Sequence, residues 1–166
     1  MTNNIFEESG FEFDFSNSIN AYRFDNVSYY GLKLIDFVVE TQNEYLFVEV
    51  KNPDNKKSRP ESRKQFLEEI KNDEYREYCL KMAIKFKDSI LKELAMSKTF
   101  SKPIIYILLL EYSQFDARQR SKIYERINGH IPAFKETAYT AIKNIKFALH
   151  NKDEFIKNYA FNVTEI

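Results

Sequence analysis

Three charged residues lie close together in a stretch of sequence that otherwise has the composition of β-strands. Asp36 lies in the apolar segment 32–40, and Glu49 and Lys51 lie in the apolar segment 45–51. Val, Ile, Leu, Phe and Tyr dominate both segments, and these residues favour strands. A short polar connection joins the two segments, as in a hairpin. The sequence therefore predicts a β-hairpin that carries two carboxylates and one ammonium group.

The register of this hairpin decides whether the three groups can act together. A tight two-residue turn and a four-residue loop both give the same pairing, in which Asp36 lies directly opposite Glu49. Directly opposite residues share a face of the sheet, with Cβ atoms about 4.5–5.5 Å apart. Lys51 is two residues beyond Glu49, so it points to that face as well. We therefore expect one patch with two carboxylates and one ammonium.

Such a patch has the composition of a metal-dependent phosphodiesterase site. Two carboxylates at this distance repel each other, and the repulsion raises one pKa unless a cation is shared. Oxygen ligands select Mg²⁺ or Mn²⁺, and Mg²⁺ uses one or two carboxylates together with waters and substrate phosphate. A bound divalent ion lowers the pKa of its water, and a neighbouring ammonium stabilises the negative charge on phosphorus. The residues predict Mg²⁺-dependent or Mn²⁺-dependent hydrolysis of a phosphodiester.

A simpler interpretation of the same residues remains open. A Glu and a Lys two positions apart on a half-exposed strand often form only a solvated salt bridge, which contributes little. In that case the chain is a structural domain with no site at this hairpin. This interpretation requires Asp36 and Glu49 to lie on opposite faces of the sheet.

The elements around the hairpin are predicted from hydrophobic periodicity. Residues 60–96 have helical periodicity with an interruption near Asn72 and Asp73, and residues 104–112 are typical of a strand buried on both faces. The segment 116–128 is predicted to be a helix that ends at Gly129. Further predictions are strands at 11–15 and 146–150 and helices at 133–144 and 153–159. This order predicts an α/β fold with one sheet flanked by helices.

The composition bounds the class of protein. The chain has 166 residues, of which 43% are hydrophobic, and that is enough for one domain spanning 1–166 with its own core. One Cys, two His and three Gly exclude an internal disulfide, most zinc sites and a glycine-rich phosphate loop. No apolar run is long enough to span a membrane, and no signal peptide is recognisable. We expect a cytoplasmic protein that has no membrane partner.

The net charge of zero conceals an uneven distribution of charge. Residues 1–50 hold nine acidic and two basic residues, and the remainder carries the compensating positive surplus. A basic cluster follows the hairpin directly and comprises Lys56, Lys57, Arg59, Arg63 and Lys64. These side chains are candidates for contacts to nucleic-acid phosphates near a helix N-terminus. A solvated loop and helix face is an equally open interpretation.

The spacing of the charged residues resembles the PD-(D/E)xK nuclease superfamily. Asp36, twelve intervening residues and then Glu49-Val-Lys51 match its pattern, followed by the predicted helix and buried strand. The resemblance covers roughly residues 19–112. Further stretches, Phe13–Ser16, Arg23–Asp25 and Phe47–Pro53, resemble a group of small bacterial proteins of this superfamily to which no function is assigned.

The resemblance implies a restriction-endonuclease-like fold, with a central mixed sheet that carries the hairpin and a C-terminal extension over 113–166. It implies that Asp36 and Glu49 bind the metal and that Lys51 is the catalytic lysine, with Gln65 as a further catalytic candidate. Glu7, Glu8 and Glu12 are candidates for an additional carboxylate. The implied activity is that of a Mg²⁺-dependent endonuclease, with DNA expected rather than RNA, and such an enzyme could act as a homodimer.

A binding module on the same fold is the alternative to an enzyme. Such a module would bind a protein or a nucleic acid without cleaving it. The zero net charge, the small size and the weak matches for auxiliary residues favour it.

Overall fold

Two β-sheets form the framework of the chain in a computed structural model, which describes residues 4–24, 31–71, 75–132, 142 and 144–166. The strands are β1 (Ile5–Glu8), β2 (Phe11–Asp14), β3 (Asn20–Arg23), β4 (Phe37–Glu40), β5 (Tyr45–Lys51), β6 (Ile104–Leu110), β7 (Ile145–His150) and β8 (Asn162–Glu165). The helices are α1 (Pro60–Lys71), α2 (Arg76–Ala95), α3 (Ala117–His130) and α4 (Lys152–Tyr159).

The larger sheet is mixed and has the strand order β3-β4-β5-β6-β7. Strands β3, β4 and β5 pair antiparallel, whereas β5, β6 and β7 pair parallel. The smaller sheet is antiparallel and has the order β1-β2-β8. The predicted α/β class with a mixed sheet flanked by helices is therefore confirmed. The prediction of one sheet was wrong, because β1 and β8 were not predicted as strands and both pair with β2 in a sheet of their own.

The hairpin has the predicted register. Phe37 pairs with Val48, and Glu40 pairs with Tyr45 at the turn. The first strand begins at Phe37 instead of residue 32, because the backbone before it bonds to helix side chains. The N–H of Lys33 donates to Asp88 Oδ2 at 2.9 Å. The N–H of Ile35 donates to Ser89 Oγ of α2 at 3.0 Å.

The two faces of the larger sheet have different coverings. Helices α1, α2 and α3 cover one face, here called the helix-covered face, with Phe47 and Tyr106 packed beneath them. The smaller sheet and α4 cover the other face, where Val48 and Val50 pack. Because side chains alternate along a strand, Glu49 falls on the helix-covered face.

The other predicted elements differ mainly at their ends. The predicted helix over 60–96 is two helices, α1 and α2, and the predicted interruption lies outside the described residues. Strand β6 is buried on both faces as predicted. Helix α3 does not end at Gly129 but continues to His130, with Ile131 as its C-cap. Apart from residues 142 and 144, the predicted helix over 133–144 lies outside the described residues.

Candidate active site

Asp36 lies one residue before β4 and is held against β5 at two points. Its N–H donates to the carbonyl of Val48 at 3.1 Å, and its Oδ2 accepts from the N–H of Val50 at 2.7 Å. The residue is 7% exposed. Its other carboxylate oxygen, Oδ1, accepts no hydrogen bond from the part of the chain that the structure describes. The carboxyl group is therefore fixed in place and retains one oxygen for a ligand.

Glu49 is fully buried, and two lysines bind its carboxylate. Lys51 Nζ lies 2.5 Å from Oε1, and Lys85 Nζ lies 2.6 Å from Oε1 and 2.7 Å from Oε2. The exposed fraction of the Glu49 side chain is 0%, compared with 31% for Lys51 and 18% for Lys85. A buried carboxylate without such partners would be strongly destabilising. The two ammonium groups provide the compensation.

Asp36, Glu49, Lys51 and Lys85 form one charged cluster, and the charges of the other three members act on the pKa of Asp36. Burial, together with the charge of Glu49, raises the pKa of Asp36 to about 7, although the charges of Lys51 and Lys85 oppose the shift. Burial alone would lower the pKa of Lys51, but the charges of Glu49 and Asp36 outweigh burial and raise it. Lys51 therefore stays charged, while Asp36 holds its proton into the neutral range. The register of the hairpin places Asp36 opposite Glu49, and the charge of Glu49 acts on Asp36. These observations do not fit the interpretation that the two residues lie on opposite faces of the sheet.

Lys85 was not found from the sequence, although a weak signal for it exists. Lys85 and Ser89 share one face of α2 with Tyr78 and Met82, at spacings of three and four residues. Ser89 is fully buried: its Oγ donates to the carbonyl of Lys85 at 2.7 Å and accepts from the N–H of Ile35 at 3.0 Å. Polar residues on the buried face of a helix could have indicated a polar partner beneath it.

Tyr78 adds a buried hydroxyl beside the cluster. The residue is 1% exposed, and its Oη has no hydrogen-bond partner among the described residues. Burial raises the pKa of this phenol, and Lys51 and Glu49 are the two charges that act on it most strongly. A buried polar atom without a partner is uncommon in folded proteins.

Gln65 does not join the cluster. It is exposed on α1, and its amide donates to Glu69 Oε1 at 3.2 Å. Of the three glutamates predicted as an additional carboxylate (Glu7, Glu8 and Glu12), Glu8 is near enough for its charge to raise the pKa of Asp36. Glu8 also pairs with Arg23 at 3.3 Å. An additional carboxylate at this site would therefore come from a strand, β1.

A cleft of about 500 Å³ extends from Lys51. Three of the five predicted phosphate-binding residues line it, namely Lys57, Arg59 and Arg63. Lys56 lines an adjoining cleft of about 320 Å³ that shares Lys57. Lys64 lines neither cleft; its side chain is 78% exposed and pairs with Glu68 at 3.9 Å. The first cleft therefore joins the candidate catalytic lysine to a basic wall.

The two carboxylates fit the requirements of Mg²⁺ or Mn²⁺. Both carboxylates supply hard oxygen ligands, and the Oδ1 atom of Asp36 accepts no other bond within the described ranges. Mg²⁺ commonly takes one or two carboxylates and fills its remaining positions with waters and substrate phosphate. Across the residues that the structure describes, no group of three or more His, Cys, Asp or Glu is arranged around one point.

Comparisons of the chain with models of protein families, with curated proteins and with solved structures found no match. Within the described ranges, no helix combines the length and the apolar composition needed to cross a membrane.

Proposed function

We propose that the protein is a metal-dependent nuclease that hydrolyses phosphodiester bonds, with DNA preferred over RNA, on a restriction-endonuclease-like fold. The observation that carries this proposal is the buried pair of Asp36 and Glu49 with Lys51 beside it at one end of a basic cleft. Burying two carboxylates side by side costs stability. A functional role for the pair would account for that cost.

The order of elements around the pair supports the fold in this proposal. An antiparallel hairpin carries all three residues, a helical segment follows, and β6 then pairs parallel with β5. This is the order that the resemblance to the PD-(D/E)xK superfamily implies.

Asp36, Glu49, Lys51 and the basic residues of the cleft each have a role in this reaction. Asp36 and Glu49 would hold the divalent ion, which when bound supplies an activated water and neutralises charge on a phosphoryl oxygen. Lys51 stays charged, so its ammonium is suited to orient the attacking water. It also stabilises the additional negative charge of a five-coordinate phosphorus. Lys57, Arg59 and Arg63 would bind the phosphates on either side of the scissile bond.

Cleavage by a Lys51→Met variant tests the catalytic role of the cluster. Among single-stranded and double-stranded DNA and RNA substrates, wild-type protein is expected to cleave DNA in preference to RNA with Mg²⁺ or Mn²⁺. Because Lys51→Met keeps the length of the side chain and removes the charge, we expect cleavage to fall about 10²–10³-fold. Lys157→Met in α4, which packs on the other face of the sheet, is the control. Full cleavage by Lys51→Met would show that the assignment is wrong.

The basic wall of the cleft is tested by binding, separately from cleavage. With EDTA present, Arg59→Ala and Arg63→Ala are each expected to weaken the binding of a DNA oligonucleotide. Each change should lower the dependence of log affinity on log salt concentration by about 1, as for the loss of one phosphate contact. Fluorescence anisotropy at several salt concentrations measures this slope, with Lys157→Ala as the control. An unchanged slope in both arginine variants would exclude the cleft as the binding surface.

One observation favours a non-catalytic nucleic-acid-binding module as the second candidate function. Lys51 and Lys85 already compensate the charge of Glu49 without any metal ion. A binding module would bind oligonucleotides through the same cleft and give no cleavage with any metal. The cleavage assay and the binding assay together separate the two functions.

A further inference from the structure

Lys85 makes a contact that neither the catalytic role of Lys51 nor the basic cleft accounts for. Its Nζ lies within 2.6–2.7 Å of both oxygens of the Glu49 carboxylate. Lys51 contacts Oε1 of the same carboxylate. Lys85 therefore bridges the two oxygens from one side, in the manner of a chelated cation.

The position of Lys85 is fixed by the helix that carries it. Ser89, one turn further along α2, accepts a hydrogen bond from the N–H of Ile35, the residue directly before Asp36. Asp88 accepts a hydrogen bond from the N–H of Lys33 in the same segment. Helix α2 is thus bonded to the segment that carries one carboxylate and, through Lys85, to the other carboxylate. The position of Lys85 over Glu49 therefore follows from how α2 packs on the sheet.

The exposure of the two partners gives only Lys85 a way to leave the contact. The Glu49 side chain is 0% exposed and projects from β5 beneath the helices, whereas the Lys85 side chain is 18% exposed. A lysine has a flexible four-carbon stem and a strongly hydrated ammonium, so it can withdraw toward solvent without moving the backbone. The carboxylate cannot follow it.

We propose that Lys85 is a positioning residue that takes the place of a cation on Glu49, so that the site binds a divalent ion only when this ammonium moves away. The inference deepens the proposed function and rests on it for the presence of a divalent ion. An ammonium and a divalent ion close to the same carboxylate repel each other strongly in a site of low dielectric constant. Lys85 therefore lowers the metal affinity of the site and sets the metal concentration at which it fills.

Manganese titration of charge-neutral Lys85 variants tests this inference without any activity measurement. Isothermal titration calorimetry with Mn²⁺ alone would compare wild type, Lys85→Gln and Lys85→Met. Glutamine keeps a donor for Glu49, and methionine keeps the length of the side chain. We expect both variants to bind Mn²⁺ at least about tenfold more tightly than wild type. Adding Asp36→Asn to Lys85→Gln should remove the gain, which would assign it to this site.

Lys81 provides a matched control on the same helix. It lies one turn before Lys85 and binds Glu69 at 2.7 Å instead of Glu49. Lys81→Met makes the same change in net charge, and its Mn²⁺ affinity is expected to stay at the wild-type value. An equal gain in Lys81→Met, or no gain in either Lys85 variant, would overturn the inference.

Lys85→Arg keeps the inference testable if the neutral variants fail to fold. A guanidinium binds a carboxylate through two parallel hydrogen bonds and should hold Glu49 more firmly than an ammonium does. Its Mn²⁺ affinity is expected to be weaker than wild type, and a tighter value would contradict the inference.

The outcomes are distinguishable from failure of the proposed function. Tighter Mn²⁺ binding without any nuclease activity would support the inference alone, and nuclease activity without a Lys85 effect would support the function alone.

Discussion

Replacing Glu49 by alanine is expected to lower the free energy of unfolding by about 3 kcal/mol. The substitution removes the partner of two lysines at once and leaves both ammonium groups uncompensated beneath α2. Losing one partner of a buried ion pair costs about 3–5 kcal/mol. We expect the lower end of this range, because Lys51 and Lys85 keep partial access to solvent. Urea denaturation followed by circular dichroism measures the change.

Glu69→Ala is the matched control for Glu49→Ala. Glu69 also binds a lysine of α2, Lys81, at 2.7 Å, but its side chain is 25% exposed and that of Lys81 is 38% exposed. A partly exposed pair of this kind contributes at most about 1 kcal/mol. Glu49→Gln keeps the volume of the side chain and so separates the loss of charge from the creation of a cavity. Equal effects of Glu49→Ala and Glu69→Ala would mean that the buried cluster contributes no more than a surface salt bridge.

The stability of the metal-free protein is expected to fall as the pH rises from about 4 to above 7. Asp36 has a pKa of about 7 in the folded chain, whereas an unfolded chain gives Asp its usual pKa of about 3.9. The folded state therefore binds this proton more tightly than the unfolded state does. The resulting stability is fully present below pH 4 and is lost as the pH passes through 7. The difference of about three pKa units corresponds to about 4 kcal/mol.

Asp36→Asn isolates this contribution from the other titrating groups. The asparagine keeps an oxygen that can accept from the N–H of Val50 but has no proton to lose. Denaturation at pH 5 and pH 8 in EDTA should therefore give a smaller decrease in stability for Asp36→Asn than for wild type, by up to about 3 kcal/mol. The same decrease in both proteins would place the pKa of Asp36 near its ordinary value and remove the basis for a strained carboxylate pair.

The hairpin was predictable because several sequence features agreed on it. Two strand-forming segments and a short polar connection leave one register for either plausible turn, and that register places Asp36 opposite Glu49. The alternation of side chains then assigns Lys51 to the same face. The buried strand β6 was equally clear, because its apolar run is continuous and bounded by polar residues.

The helix side of the site depends on contacts between residues distant in sequence. Lys85 meets Glu49 across a separation of 36 residues, and nothing near either residue specifies that pairing. Helical periodicity places Lys85 on the inner face of α2, but it does not say which strand residue lies beneath it. Gln65 illustrates the opposite case, because the resemblance to the PD-(D/E)xK superfamily implied a site residue there, whereas the orientation of α1 exposes it to solvent.

The bonds from α2 to both carboxylate-bearing segments also affect how the site opens. Because Asp88 and Ser89 belong to one continuous helix, the segment before β4 stays in place while α2 remains docked, even when the Lys85 ammonium leaves Glu49. That helix is anchored by Met82 and Phe86 in the main core. The backbone of the Asp36 segment is therefore expected to open only together with this core, whereas the Lys85 side chain moves independently of both. Core substitutions far from Asp36 would therefore destabilise the segment that carries it together with the core.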